Sequence, residues 1–175
     1  TLDGGSGANT LVLTTSGGIT RVALSGAPGS DQTVGAAVSV LNFRNVDASI
    51  LDAAHGVAVT GSAAANVITT GAGADSIDGG GGADIVHAGA RDDSVSYFGG
   101  EVSIDGGSGS NTLVMKTATT VDLSQADQTT LDATTVAGFV DVGASAVCNN
   151  MTITGSAGAN SLIGGAGGDT VNDDA

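Results

Sequence analysis

The sequence predicts an all-β solenoid, in which short strands are joined by tight turns. Residues 61–114 divide without a gap into six nine-residue units, and the eighth residue of each unit is aliphatic. The first six positions are mostly Gly, Ala, Ser, Asn and Asp, so each unit is predicted to form a turn followed by a short strand. The aliphatic residues at the eighth position are Ile68, Ile77, Val86, Val95, Ile104 and Leu113.

The amino-acid composition limits the width of the hydrophobic core that this chain can form. Its 175 residues include no Trp, only 2% aromatic residues and 30 Gly, and most of the 41% that is hydrophobic is Ala and Val. Small side chains of this kind can fill a narrow core, but they cannot easily fill the wide core of a conventional globular domain. We therefore expect one continuous solenoid along the whole chain.

Glycine and aspartate recur together in the turns. Glycine permits the positive φ of a tight turn, and it lets backbone carbonyl groups approach a cation closely. Ca²⁺ prefers about six to eight oxygen ligands, and an Asp in the sixth position would add the charge that carbonyl dipoles lack. Asp and Gly are also good turn formers by themselves, but turn chemistry alone does not require Asp75, Asp84 and Asp93 to fall in phase.

Two adjacent units, TGAGADSID at 70–78 and GGGGADIVH at 79–87, resemble the nonapeptide G-G-x-G-x-D-x-U-x of the RTX family. The resemblance implies a right-handed parallel β-roll or β-helix with calcium in its Gly-rich corners. In that family two nonapeptides make one turn, so that corners 18 residues apart stack and share an ion. The rule pairs Asp75 with Asp93, Asn66 with Asp84, and Asp93 with Asn111.

The same resemblance implies several bound Ca²⁺ ions, with weaker sites where Asn replaces Asp. The loop from Tyr97 to Val102 is expected to bind none, with Glu101 as the alternative ligand there. The expected ligands are residues of the Gly-rich turns, namely Asn66, Gly71, Gly73, Asp75, Gly80, Gly82, Asp84, Gly89, Asp93, Gly107, Gly109, Asn111, Asn160, Gly165, Gly167 and Asp169.

Outside the central units the nine-residue period is weaker. Residues 1–3 resemble the end of a unit, and 4–12 form a complete one with Asn9 at the sixth position. Between 13 and 60 the alternation in ITRVALS, AAVSVLNF and VAVT predicts strands, and Pro28 with its glycine neighbours marks a loop. A short helix is predicted over 49–54.

A longer repeat of about 100 residues encloses the nonapeptides. GGSGANTLVL at residue 4 returns as GGSGSNTLVM at 106, and VAVTGSAAANVI at 57 returns as MTITGSAGANSLI at 151. We predict a first copy at 1–105, with nonapeptides at 4–12 and 61–105. The incomplete second copy is 106–175, with nonapeptides at 106–114 and 155–172. Asp169 lacks a downstream partner within this chain, and both ends would leave open strand edges. We therefore expect either an excerpt of a longer tandem array or a unit that self-associates, end to end or laterally.

Charge and motifs exclude several classes of function. The formal charge is −14 with four basic residues, which argues against binding to nucleic acid. No apolar run approaches the roughly 20 residues of a membrane helix, so membrane insertion is not expected. His55 and His87 are isolated, and no phosphate-binding loop or hydrolase elbow is present, so the chain is not expected to be an enzyme. The lone Cys148 is interpreted as a small buried residue, with a free thiol or an intermolecular link as the alternatives.

These observations favour a calcium-stabilised structural module of a secreted bacterial surface layer, filament or large adhesin. The alternative is the non-catalytic, secretion-promoting RTX region of a larger exported enzyme or toxin. Members of the family are exported through a C-terminal signal, so we expect an extracellular or cell-surface location although this chain has no N-terminal signal. Cell-surface polysaccharide is a possible partner. Ice binding is not favoured, because the fifth position of the units forms no regular row of Thr or Asn.

Overall fold

The computed structural model describes residues 1–14, 18–37 and 39–173, and within them the chain is all-β with no helix. The strands have two to four residues each. They are β1 (Leu2–Asp3), β2 (Thr10–Val12), β3 (Arg21–Ala23), β4 (Thr33–Val34), β5 (Val40–Leu41), β6 (Asn45–Asp47), β7 (Ala58–Thr60), β8 (Val67–Thr69), β9 (Ser76–Asp78), β10 (Ile85–His87), β11 (Ser94–Tyr97), β12 (Ser103–Asp105), β13 (Thr112–Met115), β14 (Thr120–Asp122), β15 (Thr129–Thr130), β16 (Thr135–Ala137), β17 (Asp141–Gly143), β18 (Thr152–Thr154), β19 (Leu162–Ile163) and β20 (Thr170–Asn172).

Parallel pairing between every second strand organises the central units. Strands β8, β10 and β12 lie side by side in a six-stranded sheet, and β9, β11 and β13 lie side by side in an eight-stranded sheet. The register pairs Ile85 with Val67 on one side and with Ser103 on the other. Strands two units apart therefore stack, as the resemblance to the RTX family implies. Each glycine-rich turn is a corner between the two sheets.

Two short antiparallel pairs, β3 with β4 and β14 with β15, interrupt the parallel order. The backbone N–H of Gln32 donates to the carbonyl of Val40 at 2.7 Å, which links the two-stranded sheet β1–β5 to the eight-stranded sheet. An equivalent bond from Gln128 to Val136, also 2.7 Å, links the six-stranded sheet to the four-stranded sheet β15–β14–β18–β20. The eight-stranded and the six-stranded sheet are thus each linked to a smaller sheet by the same kind of backbone hydrogen bond, once in each half of the chain.

The side chains of these two glutamines bridge to a phenylalanine in the same way. Gln32 donates through Nε2 to the carbonyl of Phe43 at 2.8 Å and accepts the N–H of Phe43 at 2.7 Å. Gln128 makes the corresponding bonds to Phe139, at 2.7 Å and 2.9 Å. The long repeat seen in the sequence thus has a counterpart in hydrogen bonding.

The core is a column of aliphatic side chains, one from the middle of most strands. The eighth residues of the six units are all between 0% and 1% exposed, which confirms their predicted inward position. On both sides of the six units the same inward position is filled by aliphatic residues, namely Val46, Val59, Val121, Val136, Val142 and Ile153.

Replacing Leu113 with alanine is expected to lower the free energy of unfolding by about 2–5 kcal/mol, because a buried leucine leaves a cavity behind. Leu113 is 0% exposed and lies between β11 and β17. Val67→Ala is the matched control, since Val67 is 42% exposed and such surface changes cost about 0.5 kcal/mol or less. Urea denaturation in saturating calcium measures both. Equal losses would contradict the assignment of Leu113 to the core.

The prediction of a helix at 49–54 is wrong. The segment forms two turns instead, closed by bonds from the N–H of Leu51 to the carbonyl of Ala48 and from the N–H of His55 to the carbonyl of Asp52, both 3.0 Å. The carboxylate of Asp52 also accepts the N–H of Ala54 at 2.9 Å. Asp side chains that bond to nearby backbone N–H groups compete with helix formation.

Cys148 and residues 36–43 differ from what the sequence predicts. Cys148 is exposed rather than buried, because it follows a corner in which Val147, 4% exposed, takes the inward position. Of the strand expected over 36–43, only Val40 and Leu41 form one among the described residues, and Val38 lies outside them.

No helix of the described chain is long and apolar enough to cross a membrane.

Candidate metal centre

Three buried aspartates, Asp75, Asp84 and Asp93, stand at the corners where the central units stack. Each accepts, through Oδ1, the backbone N–H of the residue 18 positions earlier. The donors are Val57, Asn66 and Asp75 respectively, and each bond is 2.7 Å long. The predicted stacking of Asp75 with Asp93 and of Asn66 with Asp84 is therefore confirmed.

The second oxygen of these aspartates has no protein partner. Oδ2 of Asp75, of Asp84 and of Asp93 is buried and accepts no hydrogen bond from any described residue. A buried carboxylate oxygen without a partner is costly, and it is tolerated where a cation compensates it. This oxygen is the feature of the corners that fits a metal ion.

The pKa values of these three aspartates also favour a cation in their corners. Burial raises the pKa of Asp75, and it raises the pKa of Asp84 to about 6 with a further contribution from the charges of Glu101 and Asp78. Burial also raises the pKa of Asp93 to about 7, reinforced by the neighbouring charge of Asp75. Ionised carboxylates at these positions therefore need a positive charge nearby.

Backbone oxygens crowd the glycines of the same corners. A Cβ on Gly71 would lie 2.5 Å from the carbonyl oxygen of Leu51, and one on Gly80 would lie 2.6 Å from that of Ser62. Several of these glycines also have positive φ, namely Gly80, Gly82, Gly89, Gly107 and Gly109. Carbonyl and carboxylate oxygens are the donor set that Ca²⁺ prefers. The residues present thus fit a calcium ion better than a transition metal.

Replacing Gly82 with alanine is expected to lower the free energy of unfolding by about 2–4 kcal/mol, because it combines positive-φ strain with a backbone clash. Gly82 has φ +112°, and a Cβ there would lie 2.8 Å from the carbonyl carbon of Ala64. Gly7→Ala is the matched control, since Gly7 has φ +104° and no described atom within 4 Å of its Cβ. Thermal melts in calcium compare them. A loss no larger than that of the control would exclude the clash.

Other predicted ligand positions are placed as follows. Asn111 continues the column of Asp75 and Asp93, because its Oδ1 accepts the N–H of Asp93 at 2.9 Å. Asp169 repeats the first of these bonds in the second half of the chain, accepting the N–H of Met151 at 2.9 Å. Cβ atoms on the remaining predicted glycines would also meet backbone atoms of a neighbouring corner, at Gly73, Gly89, Gly107, Gly109, Gly165 and Gly167.

The loop from Tyr97 to Val102 is closed by its own side chain. Glu101 is 4% exposed. Its carboxylate accepts the backbone N–H groups of Phe98, Gly99 and Gly100 at 2.7–3.0 Å. Both carboxylate oxygens therefore have protein partners, unlike Oδ2 of the three aspartates.

Sequence reasoning did not anticipate a role for Arg44. Its Nε donates to the carbonyl oxygen of Ala65 at 2.9 Å, which brings a fixed positive charge to the corner of Asn66. The residues that meet here are 21 positions apart. The nine-residue period does not predict that spacing, and only the fold brings them together.

Side chains alone do not make a metal cluster in this protein. No group of three or more His, Cys, Asp and Glu converges among the described residues. Any cation in the corners would therefore be held by backbone carbonyl oxygens together with one or two carboxylates. Repeated parallel strands with such corners define a class of β-repeat protein that binds hard cations.

Comparison with known families identifies the repeat itself. The model of the RTX calcium-binding nonapeptide repeat matches residues 60–95 and 152–172 in four copies. These two segments are RTX repeats, which are non-catalytic modules that bind Ca²⁺. The matched segments contain the aspartate corners described above. Neither a curated protein nor a solved structure matches the chain.

Proposed function

We propose that this chain is a calcium-stabilised structural module of a secreted bacterial surface-layer, filament or adhesin protein. RTX repeats are typical of proteins exported by type I secretion, which supports an extracellular location. The observation that carries the proposal is the run of three buried carboxylates, each with an oxygen that has no partner. Their shared geometry supports cation binding as a property of the repeat.

Folding would be coupled to the ion through the charges of the corners. The chain carries a formal charge of −14, and without a counter-ion its acidic residues repel one another in the compact state. Ca²⁺ in the corners supplies the missing partner of Oδ2, and the free energy of binding becomes free energy of folding. Such a module is only marginally stable where calcium is scarce, and it is strongly stabilised outside the cell, where calcium is abundant.

We further propose that the chain winds as a right-handed parallel β-roll through two copies of the long repeat, 1–105 and 106–175. Parallel pairing of strands two units apart supports a continuous winding. Connections between parallel strands of one sheet are right-handed in about 98% of cases. The matching bonds of Gln32 and Gln128 support the division into two copies.

Self-association is proposed at the outer strands. In the described chain β1 and β2 each pair on one side, with β5 and β6, and expose Leu2 (48%) and Val12 (55%). At the opposite edges β19 and β20 expose Ile163 (52%) and Val171 (45%). A second copy could continue both sheets by adding β1 to β19 and β2 to β20. Unpaired strand edges of this kind favour association.

A calcium titration followed by far-UV circular dichroism, light scattering and electron microscopy tests the proposal. We expect a gain of β structure together with the growth of filaments or sheets. A calcium-folded monomer would contradict the self-assembly and favour the alternative, a secretion-promoting region of a larger exported enzyme or toxin. A chain that is folded in chelator and indifferent to calcium would contradict the calcium-stabilised module itself. Retention on cell-surface polysaccharide would identify the attachment partner.

A further inference from the structure

The corners fall into two groups that differ at one side-chain atom. Asp93 and Asn111 stand in successive corners of one column, and the Oδ1 of each accepts the N–H of the residue 18 positions earlier, at 2.7 Å and 2.9 Å. Oδ2 of Asp93 has no partner among the described residues. Nδ2 of Asn111 instead donates to the carbonyls of Gly106 and Gly138, both at 2.8 Å. One corner therefore holds a free acceptor and the next a double donor.

Asn66 and Asn160 share a second arrangement, in which the amide also donates to a carbonyl of a neighbouring corner but Oδ1 has a different donor. Nδ2 of Asn66 donates to the carbonyl of Arg44, and Nδ2 of Asn160 donates to that of Val140, both at 2.7 Å. The Oδ1 of each accepts the N–H of the serine four residues earlier, also at 2.7 Å. A carboxamide has one acceptor end and one donor end, so these partners determine which way each side chain faces.

The amide hydrogens of these asparagines bind the corner carbonyl oxygens, as a cation would in a corner that contains an aspartate. A carbonyl oxygen carries partial negative charge, and it is satisfied by a donor or by a metal ion. A carboxylate oxygen in the place of Nδ2 would face the carbonyls of Gly106 and Gly138 and be repelled by them. It would be stable there only with a positive charge between the oxygens.

We propose that the side-chain amides of Asn66, Asn111 and Asn160 take the place of Ca²⁺, so that their corners close without metal. Bound calcium is then confined to the aspartate corners. This inference rests on the proposed calcium-dependent folding, and it replaces the expectation that the asparagines are weak ligands. Nε of Arg44, 2.9 Å from the carbonyl oxygen of Ala65, supports it by adding a fixed positive charge at the corner of Asn66.

Asn111→Asp is the direct test, with calcium stoichiometry by isothermal titration calorimetry and thermal melts of the full chain as readouts. We expect about one additional Ca²⁺ per chain. In chelator we expect a Tm lower by about 5 °C, as for a loss of 1–2 kcal/mol in a chain of this size. Saturating calcium should restore the Tm. Asn172→Asp is the matched control, because it adds a carboxylate on exposed β20 outside any corner.

Asp93→Asn is the reciprocal variant, and it decides the question if Asn111→Asp does not fold. We expect it to bind at least one Ca²⁺ fewer than the unmodified chain and to melt higher in chelator, because its amide can donate where Oδ2 had no partner. A lower Tm in chelator, or an unchanged stoichiometry, would count against the exchange of amide for ion.

The outcomes separate this inference from the proposed function. If Asn111→Asp binds the same number of ions more tightly, Asn111 is already a ligand and the inference is overturned. The inference also fails alone if the unmodified chain folds on calcium but Asn111→Asp changes neither stoichiometry nor Tm in chelator. If the unmodified chain does not bind calcium at all, the proposed function fails with it.

Discussion

Removal of calcium with a chelator is expected to remove most of the stability of the protein and to leave a marginally stable fold. Each ion bound only by the folded state adds about 2.7 kcal/mol at a free concentration one hundred times its Kd. Ions at the corners of Asp75, Asp84 and Asp93, whose Oδ2 atoms have no partner, would together supply roughly 8 kcal/mol, close to the total stability of roughly 5–15 kcal/mol that domains commonly have. Loss of the ions thus removes a large part of the stability.

Far-UV circular dichroism and hydrogen exchange in calcium and in chelator measure this effect. We expect the β signal to fall in chelator and to return when calcium is added. The N–H groups of Val57, Asn66 and Asp75 should lose protection early, because they donate to the carboxylates that lose the ion. Mg²⁺ is the control, since its strict octahedral geometry and tightly held water suit these corners poorly. Equal rescue by Mg²⁺ would contradict a calcium-specific corner.

In the absence of calcium the protein is expected to be more stable at pH 5 than at pH 8. The folded-state pKa is raised to about 6 for Asp84 and to about 7 for Asp93 by burial, whereas an unfolded Asp has a pKa near 3.9. A group whose pKa is raised on folding adds stability that is complete below the unfolded pKa and is lost as the pH rises through the folded one. The loss therefore falls between about pH 4 and pH 7, so that it is only partial at pH 5 and complete at pH 8.

Calcium is expected to reverse this pH dependence. Protons and Ca²⁺ compete for the same carboxylates, so affinity for calcium should fall as the pH is lowered from 8 to 5. Denaturant melts in chelator and calcium titrations at each pH measure the two trends. Asp93→Asn should flatten the profile in chelator, and Asp173→Asn, an exposed change of equal charge, should leave most of it. If Asp173→Asn flattened the profile equally, general charge repulsion would be the cause.

The nine-residue period determined much of this protein by itself. Each unit has one aliphatic side chain that must point inward, and shifting the strand by one residue would turn that side chain outward. Ile68, Ile77 and Val86 could therefore be assigned to the core from the sequence. Together with the two units per turn of the RTX family, the same phase predicts one column for Asp75 and Asp93, and their hydrogen bond confirms it. Where the period fades, at 49–54 and around Cys148, the predictions were wrong, since local propensity alone does not say which way a corner turns.

Only the tertiary structure decided what each corner side chain does. Asp93 and Asn111 occupy the same position of the repeat, yet the second atom of one has no partner while that of the other bridges two carbonyls. The partner Gly138 is 27 residues from Asn111, whereas the stacking rule relates corners that are 18 residues apart. The bond of Arg44 to Ala65 is likewise set by the stacking of neighbouring corners. The repeat thus determines where oxygens gather, and the contacts between neighbouring corners determine which of them remain free for an ion.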